Sequence, residues 1–308
     1  MVIRWLGFTM IQVLTFTFLV FIFQFVHIEA MAEPIPENVV KCVAYIVKPD
    51  IKKNIPIGTG FFIAYRYQEK TDKVYLFLVT ARHVLFDEKG QPHSSLLVRM
   101  NEKSTGRLKD FDILSSNLWF FHKESESVDI AVHPLLPRDA DFLYIPSELF
   151  VTKDLLANNK IGIGDDVFYT GLLPYQSGRE RIAPIVRFGR LALVTDERSV
   201  EGRYYHFIDA GNIPGHSGST LFLWATPTRQ SGGIVAGPRI FGLYGIVSGV
   251  LEYSKELKFV LPKQTQLNPT PIDTSSGGVT VVVPVKYLVE VLESPQLKKM
   301  LGILTDSK

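Results

Sequence analysis

The sequence predicts an all-β fold, and three observations carry that reading. Apolar runs are short and are broken at close intervals by Gly, Pro, Asn and Asp. The chain holds 23 Gly and 18 Pro, a supply that suits many turns between short strands. Helical spacing of apolar residues emerges only near the C-terminus, over residues 285–292 and 294–301. Eleven runs read as strands: residues 39–47, 59–66, 75–80, 96–99, 129–133, 167–170, 185–194, 205–209, 220–224, 240–250 and 279–283. So many strands with so few helices suggest paired β-barrels or a sandwich.

The elements follow in order. The run 39–47 holds the chain's one cysteine, Cys42, which reads as a small buried hydrophobe in a strand. One cysteine makes no internal disulfide, so the fold stands on its apolar core. Residues 137–160 are the best candidate for a link between two halves. The polar stretches 101–112, 226–237 and 267–277 read as surface loops. At the C-terminus Val285, Leu288, Val289 and Leu292 fall on one helical face, and Pro295 breaks or restarts the helix.

The chain has 308 residues, 46% of them apolar, enough for one large all-β domain or two modest ones. Lys and Arg total 33 against 31 Asp and Glu, a net charge of +2 with no block of like sign. That leaves no electrostatic footprint for nucleic acid. The N-terminus differs from the rest. Arg4 precedes residues 5–28, which lack Asp, Glu, Lys and Arg, and Ala30-Met-Ala32 follows. A basic start, an apolar stretch and Ala-x-Ala describe a secretory signal. The stretch is also long enough to stay uncleaved as a membrane anchor. Either way residues 33–308 are expected outside the cytoplasm, periplasmic or secreted, touching membrane only through residues 5–28 if these remain. Export with a single cysteine points to a bacterial protein.

The most informative stretch is Gly211-Asn-Ile-Pro-Gly-His-Ser-Gly-Ser-Thr220. It sets Ser217 between residues whose backbone can turn sharply and aim N–H groups at one spot. A hydroxyl beside such donors is laid out for attack on a carbonyl, with the oxyanion held by fixed N–H groups. Serine needs a base to take its proton. His83, in Val79-Thr-Ala-Arg-His83, follows a strand and is best placed; His93, His122 and His133 are alternatives. A buried carboxylate on the imidazole's other nitrogen would fix its tautomer, and Asp129, flanked by Val128 and Ile130-Ala-Val132, suits that role.

Taken together, Thr80-Ala-Arg-His83, Asp129-Ile-Ala-Val132 and Gly215-His-Ser-Gly-Ser219 resemble the three signatures of trypsin-like (chymotrypsin-fold) serine endopeptidases. Smaller matches turn the resemblance toward the bacterial HtrA/Deg-like branch: Gly58-Thr-Gly-Phe-Phe-Ile63, Ile163-Gly-Asp-Asp-Val167 through Gly171, the loop from Asp209 to Gly215, and Val283-Pro-Val285. The resemblance spans about residues 38–293. It implies two six-stranded antiparallel β-barrels, residues 38–150 and 151–284, closed by a helix over 285–302, within one protease domain of residues 33–308 preceded by residues 1–32. It implies His83 as general base, Asp129 as its orienter and Ser217 as nucleophile, with the backbone N–H groups of Gly215 and Ser217 as oxyanion hole. Gly211 and Asn212 would border the substrate, and Ser248, Gly249 and Val250 would pair with an extended polypeptide as an added strand. No cofactor is implied. The alternative is a catalytically inactive module that keeps the fold to bind peptides or to act as a scaffold; an esterase using the same three residues is a third reading.

Four features depart from the family pattern. His216 stands where Asp or Asn is usual, so no activating salt bridge to a new N-terminus is expected. Ser219 replaces a glycine, and a side chain there can crowd the turn, though serine is small. Gly211 falls where trypsin carries an acidic residue, so cleavage after Lys or Arg is not expected, and a small or medium apolar side chain is. No PDZ module is expected after residue 293. There is no His-Glu-x-x-His, Cys/His cluster or Gly-x-x-x-x-Gly-Lys, so neither a metal site nor a phosphate loop is expected.

Overall fold

The computed structural model describes residues 35–70, 72–112, 114, 118–173, 180–200, 202–211, 215–226, 238–256 and 272–304. Of these, residues 38, 70, 250–256 and 272–277 are described by backbone alone. The N-terminal segment 1–32 lies outside the described residues, as do most of the loop expected at 226–237 and the first part of that at 267–277. Among the described residues no helix is long and apolar enough to cross a membrane. Residues 36–308 form one compact unit.

A short helix, α1 (Glu37–Lys41), opens that unit and is bridged from Lys41 to Glu37 at 2.8 Å. The run read as one strand from residue 39 therefore starts as helix, because its polar ends pair one turn apart. Cys42 ends this helix, buried, with its thiol donating to the Val39 carbonyl at 3.3 Å. Burial pushes the thiol's pKa up, which keeps it protonated and inert.

Nine strands follow: β1 (Val43–Lys48), β2 (Ile55–Tyr65), β3 (Tyr75–Thr80), β4 (Leu97–Glu102), β5 (Leu108–Phe111), β6 (Phe120–Phe121), β7 (Ala131–Pro134), β8 (Ala140–Asp141) and β9 (Ile145–Pro146). They form a sheet in the order β5-β4-β1-β2-β3-β7-β6, with β8 on β4 and β9 on β2. Its core packs Ile46, Phe62, Leu78, Val98 and Met100, all at most 1% exposed. Of the two barrels expected, this one does not close among the described residues: β5 and β6 stand at opposite edges. The β6 edge holds only Phe120 and Phe121. Nor is the sheet wholly antiparallel, since β9 runs parallel to β2.

The loop expected at 101–112 contains β5. Its sequence, Leu-Lys-Asp-Phe, lacks a strand signal because Asp110 is held by a charge, with Arg99 of β4 donating Nε to Oδ1 at 2.5 Å and Nη2 to Oδ2 at 2.7 Å. The proposed link 137–160 is no plain linker. It carries β8, β9 and a short helix, α2 (Lys153–Asn158), capped by the Thr152 side chain accepting from the Leu155 N–H.

The second half is the closed barrel that was expected. Its strands are β10 (Asp166–Gly171), β11 (Ile185–Leu193), β12 (His206–Asp209), β13 (Thr220–Ala225), β14 (Ile240–Glu256) and β15 (Ile272–Pro284), joined as β10-β11-β12-β15-β14-β13. The last two run beyond the runs read from sequence, and their ladder continues to Glu256 opposite Ile272, taking up part of the loop expected at 267–277. Two helices close the chain, α3 (Val285–Leu292) and α4 (Pro295–Met300), with Pro295 opening the second. Val285, Leu288 and Leu292 are buried as expected, joined by Tyr287 and Val291, while Val289 is half-buried.

These helices clasp the first sheet. Tyr65 donates to Glu293 at 2.6 Å, Tyr67 to the Leu292 carbonyl at 2.9 Å, and Lys298 to Glu69 at 2.7 Å. His122 accepts the Glu124 N–H on Nδ1, so its Nε2–H donates to Glu290, at 2.9 Å.

Candidate active site

The ladder of β3 and β7 runs from Phe77 opposite Pro134 to Thr80 opposite Ala131. His83 and Asp129 both lie just past its end, His83 in a one-turn 3-10 helix over Arg82–Leu85. The pairing thus delivers an imidazole and a carboxylate to the same place. Asp129 accepts the His83 backbone N–H on Oδ1 at 2.8 Å and His83 Nδ1 on Oδ2 at 2.7 Å. An ionised carboxylate only accepts, so Nδ1 carries the proton and Nε2 is left as acceptor. Burial alone would lower the His83 pKa, but the bond to Asp129 and its charge outweigh that and raise it above 6.5. Burial works against ionised Asp129 as well, yet the His83 bonds and a Ser248 hydroxyl hold its pKa below 3.8.

The side-chain role of Ser248 is what sequence reading missed. The residue was singled out for its backbone, but its hydroxyl donates to Asp129 Oδ2 at 2.5 Å. Its carbonyl accepts from Ser217 Oγ at 3.1 Å. One serine of β14 therefore joins the carboxylate to the hydroxyl that lies between Gly215 and Gly218. Among the described residues the Ser217 hydroxyl bonds to that carbonyl and not to His83. The other candidate bases lie elsewhere: His93 is half-buried beside β4, His122 binds Glu290, and His133 is buried edge-on to Trp119 with ring centroids 5.0 Å apart.

The turn around Ser217 is fastened across the two halves of the chain. Thr59 of β2 donates its N–H to the Ser217 carbonyl at 2.8 Å and its hydroxyl to the Gly215 carbonyl at 2.9 Å. Thr80 in turn donates to the Thr59 carbonyl at 2.7 Å. Gly218 sends its N–H to Val247 at 2.7 Å and Ser219 its own to His216 at 2.9 Å. Among the described residues the N–H groups of Gly215 and Ser217 have no acceptor in this turn. Gly215 and Gly218 take φ of +101° and +87°, conformations that other residues resist. A Cβ on Gly218 would also collide with the Thr59 carbonyl oxygen and the Thr80 hydroxyl. Gly218→Ala is expected to cost about 3 kcal/mol or more of stability. Denaturant unfolding measures it, and a loss under about 1 kcal/mol would contradict the packing described.

Both substitutions in this turn are accommodated. His216 is fully buried, and its Nδ1 lies 3.1 Å from the Tyr169 hydroxyl, which itself donates to the Gly211 carbonyl at 2.6 Å. Since that hydroxyl has one proton, His216 Nδ1 is the donor. Burial first, then the charge of Arg187, pushes the His216 pKa down to about 4, so it is neutral near pH 7. His216 thus stands in a neutral hydrogen-bond relay through Tyr169 to the Gly211 carbonyl. Ser219 does not crowd the turn, because it lies against Gly171 of β10, where a side chain would leave no room for the hydroxyl.

Gly211 is half-buried and Asn212 lies outside the described residues. The β13 ladder on β14 ends at Ile246, whereas the β15 ladder continues through Gly249 and Val250. Among the described residues β14 thus has a sheet partner on one side only from Ser248 onward, where it runs beside the Ser217 turn. No group of side chains able to hold a metal occurs among the described residues.

No family model matches this chain, and no curated protein does. Solved structures of HtrA-type proteases are similar to it. One is HtrA-type protease AlgW with tripeptide, at 18% identity and a TM-score of 0.45, over 86% of this chain and 62% of that one. A variant of AlgW with tripeptide is similar at 17% identity and a TM-score of 0.44, over 88% of this chain and 72% of that one.

Proposed function

We propose that the chain is a trypsin-like serine endopeptidase, in an exported or membrane-tethered bacterial protein, that hydrolyses polypeptides through an acyl-enzyme. The observation that carries this reading is the continuous link His83–Asp129–Ser248–Ser217, at 2.7, 2.5 and 3.1 Å, beside a turn whose Gly215 and Ser217 N–H groups have no acceptor among the described residues. Rotation about its Cα–Cβ bond turns the Ser217 hydroxyl from the Ser248 carbonyl toward His83 Nε2. His83 takes the proton as Ser217 Oγ bonds to the substrate carbonyl carbon, and Asp129 stabilises the imidazolium. The oxyanion is held by the N–H groups of Gly215 and Ser217. His83 returns the proton to the leaving amine, and water repeats the sequence to free the acid. The substrate lies along Ser248, Gly249 and Val250 as an added strand.

A fluorophosphonate probe tests the reading: its adduct is expected on Ser217, and folded protein without an adduct there removes it. The Ser217 hydroxyl's bond to Ser248 is also what a non-catalytic peptide-binding module would keep, and such a module would give no adduct.

The base works only when neutral, so activity falls as pH drops through the raised His83 pKa. The acid limb of kcat/KM is expected above pH 6.5. Ser248→Ala removes one donor from Asp129, concentrates its charge on His83, and shifts that limb to higher pH. A limb that stays in place or moves down would show that Ser248 does not act on Asp129.

A further inference from the structure

A cavity of about 440 Å³ opens on the second half of the chain, and none of His83, Asp129, Ser217 and Ser248 lines it. That volume falls in the range of small-molecule sites, roughly 300–1,000 Å³. Its wall is gathered from α2 and the turn after it, the residues that follow β11, the entrance to α3, and single residues of β12 and β14. Leu156, Ala157, Ile161, Val194 and Val285 give it an aliphatic lining.

The two ends of the cavity differ. His206 and Tyr244 are buried, whereas Lys153 and Lys160 are exposed and Lys286 is half-buried. The deep end carries no charge. The Thr195 carbonyl only accepts, so His206 Nε2, 3.2 Å from it, holds the proton, and Nδ1 accepts from the Tyr244 hydroxyl at 2.6 Å. Burial first, then the charge of Lys286, pushes the His206 pKa down to about 4, so the ring is neutral near pH 7. Both side chains there give their protons to the protein itself.

The mouth is cationic. Lys153, Lys160 and Lys286 stand against one carboxylate in the wall, Asp196, which Lys286 already holds. Lys160 has φ of +51°, and among the described residues it alone takes a positive φ without being glycine. Holding a lysine in that conformation costs free energy that a glycine would not. The same turn lets the Ile161 N–H donate to the Leu156 carbonyl at 2.9 Å, which folds Ile161 back onto α2.

We propose that this cavity binds an apolar monocarboxylate, a straight-chain fatty acid of medium length, with its alkyl chain on the aliphatic lining and its carboxylate at Lys153 and Lys160. An alkyl chain asks nothing of the neutral deep end, whereas a carboxylate there would meet only protons already committed to Thr195 and His206. At the mouth the carboxylate finds two ammonium groups, point charges that accept an anionic oxygen from many directions. A cationic head is repelled, and an inorganic anion leaves the lining empty. The site is independent of the endopeptidase reading, and its test uses no activity.

Calorimetric titration of the full chain with octanoate is expected to show saturable binding. Octanoate is expected to bind roughly tenfold tighter than hexanoate, the effect of two further buried CH₂ groups. It is expected to bind roughly tenfold tighter than octanol, which has the chain without the charge. Lys153→Gln with Lys160→Gln brings octanoate to the level of octanol and leaves octanol as it was. Ala157→Trp fills the cavity from α2 and abolishes binding of both. Lys160→Gly accepts the positive φ freely, so it keeps the unfolding midpoint while weakening octanoate. Octanol, octylammonium or phosphate binding as well as octanoate overturns the proposal, as does octanoate that fails to saturate up to about 10 mM. Octanoate binding that survives both the double variant and Ala157→Trp lies elsewhere on the chain and overturns it too. Should those variants fail to fold, the ligand series on the parent protein decides.

Discussion

Ser217→Ala is expected to lower kcat by about 10⁶ and to leave the fold in place. Removing the nucleophile of such a relay costs about as much as removing the whole relay, because the other members act only through it. The residual rate is expected to be that of the Gly215 and Ser217 N–H groups acting on bound substrate, roughly 10³–10⁴ over water. The structural cost is small. Ser217 is half-exposed and loses one neutral hydrogen bond, to Ser248, about 1 kcal/mol. The fastenings of the turn use backbone groups of residue 217 and survive. Turnover of a peptide substrate and the unfolding midpoint are the two readouts. Activity within tenfold of the parent protein would mean that another group attacks.

Asp129→Asn is the second large effect, a fall in kcat of about 10⁴. The carboxylate accepts three hydrogen bonds, from the His83 N–H, from His83 Nδ1 and from the Ser248 hydroxyl. An amide can supply one oxygen. With that oxygen on the His83 N–H, the NH₂ faces Nδ1 and forces it to accept. The imidazole proton then sits on Nε2, where the Ser217 proton must go. Loss of the charge also removes what raised the His83 pKa, so the acid limb of the residual activity moves down in pH. A residual rate above a tenth of the parent's, with the limb unmoved, would show that Asp129 does not orient His83.

The reach of sequence reading here followed the range of the interactions. His83, Asp129 and Ser217 each sit in a short local signature, and each could be named before any contact between them was known. The strand over residues 75–80 was legible to the residue, because its apolar run stops where the turn begins. Features set by distant partners were not legible. Lys109 and Asp110 read as loop because their strand is held by Arg99, ten and eleven positions away in the chain. Nothing near residue 187 announces that its guanidinium meets Gly211, and nothing near residue 171 announces that its missing side chain makes room for Ser219.

The clasp of α3 and α4 over the first sheet has a consequence for timing. Tyr67 waits for Leu292 across 225 positions, and Lys298 returns to Glu69 across 229. Contacts so far apart in the polymer form late, after a large loss of chain entropy. A nascent or half-threaded polypeptide still short of Lys298 lacks its final buttress, however much of its first half has emerged. Folding of the first half is therefore expected to be completed only once residues 292–298 are in place.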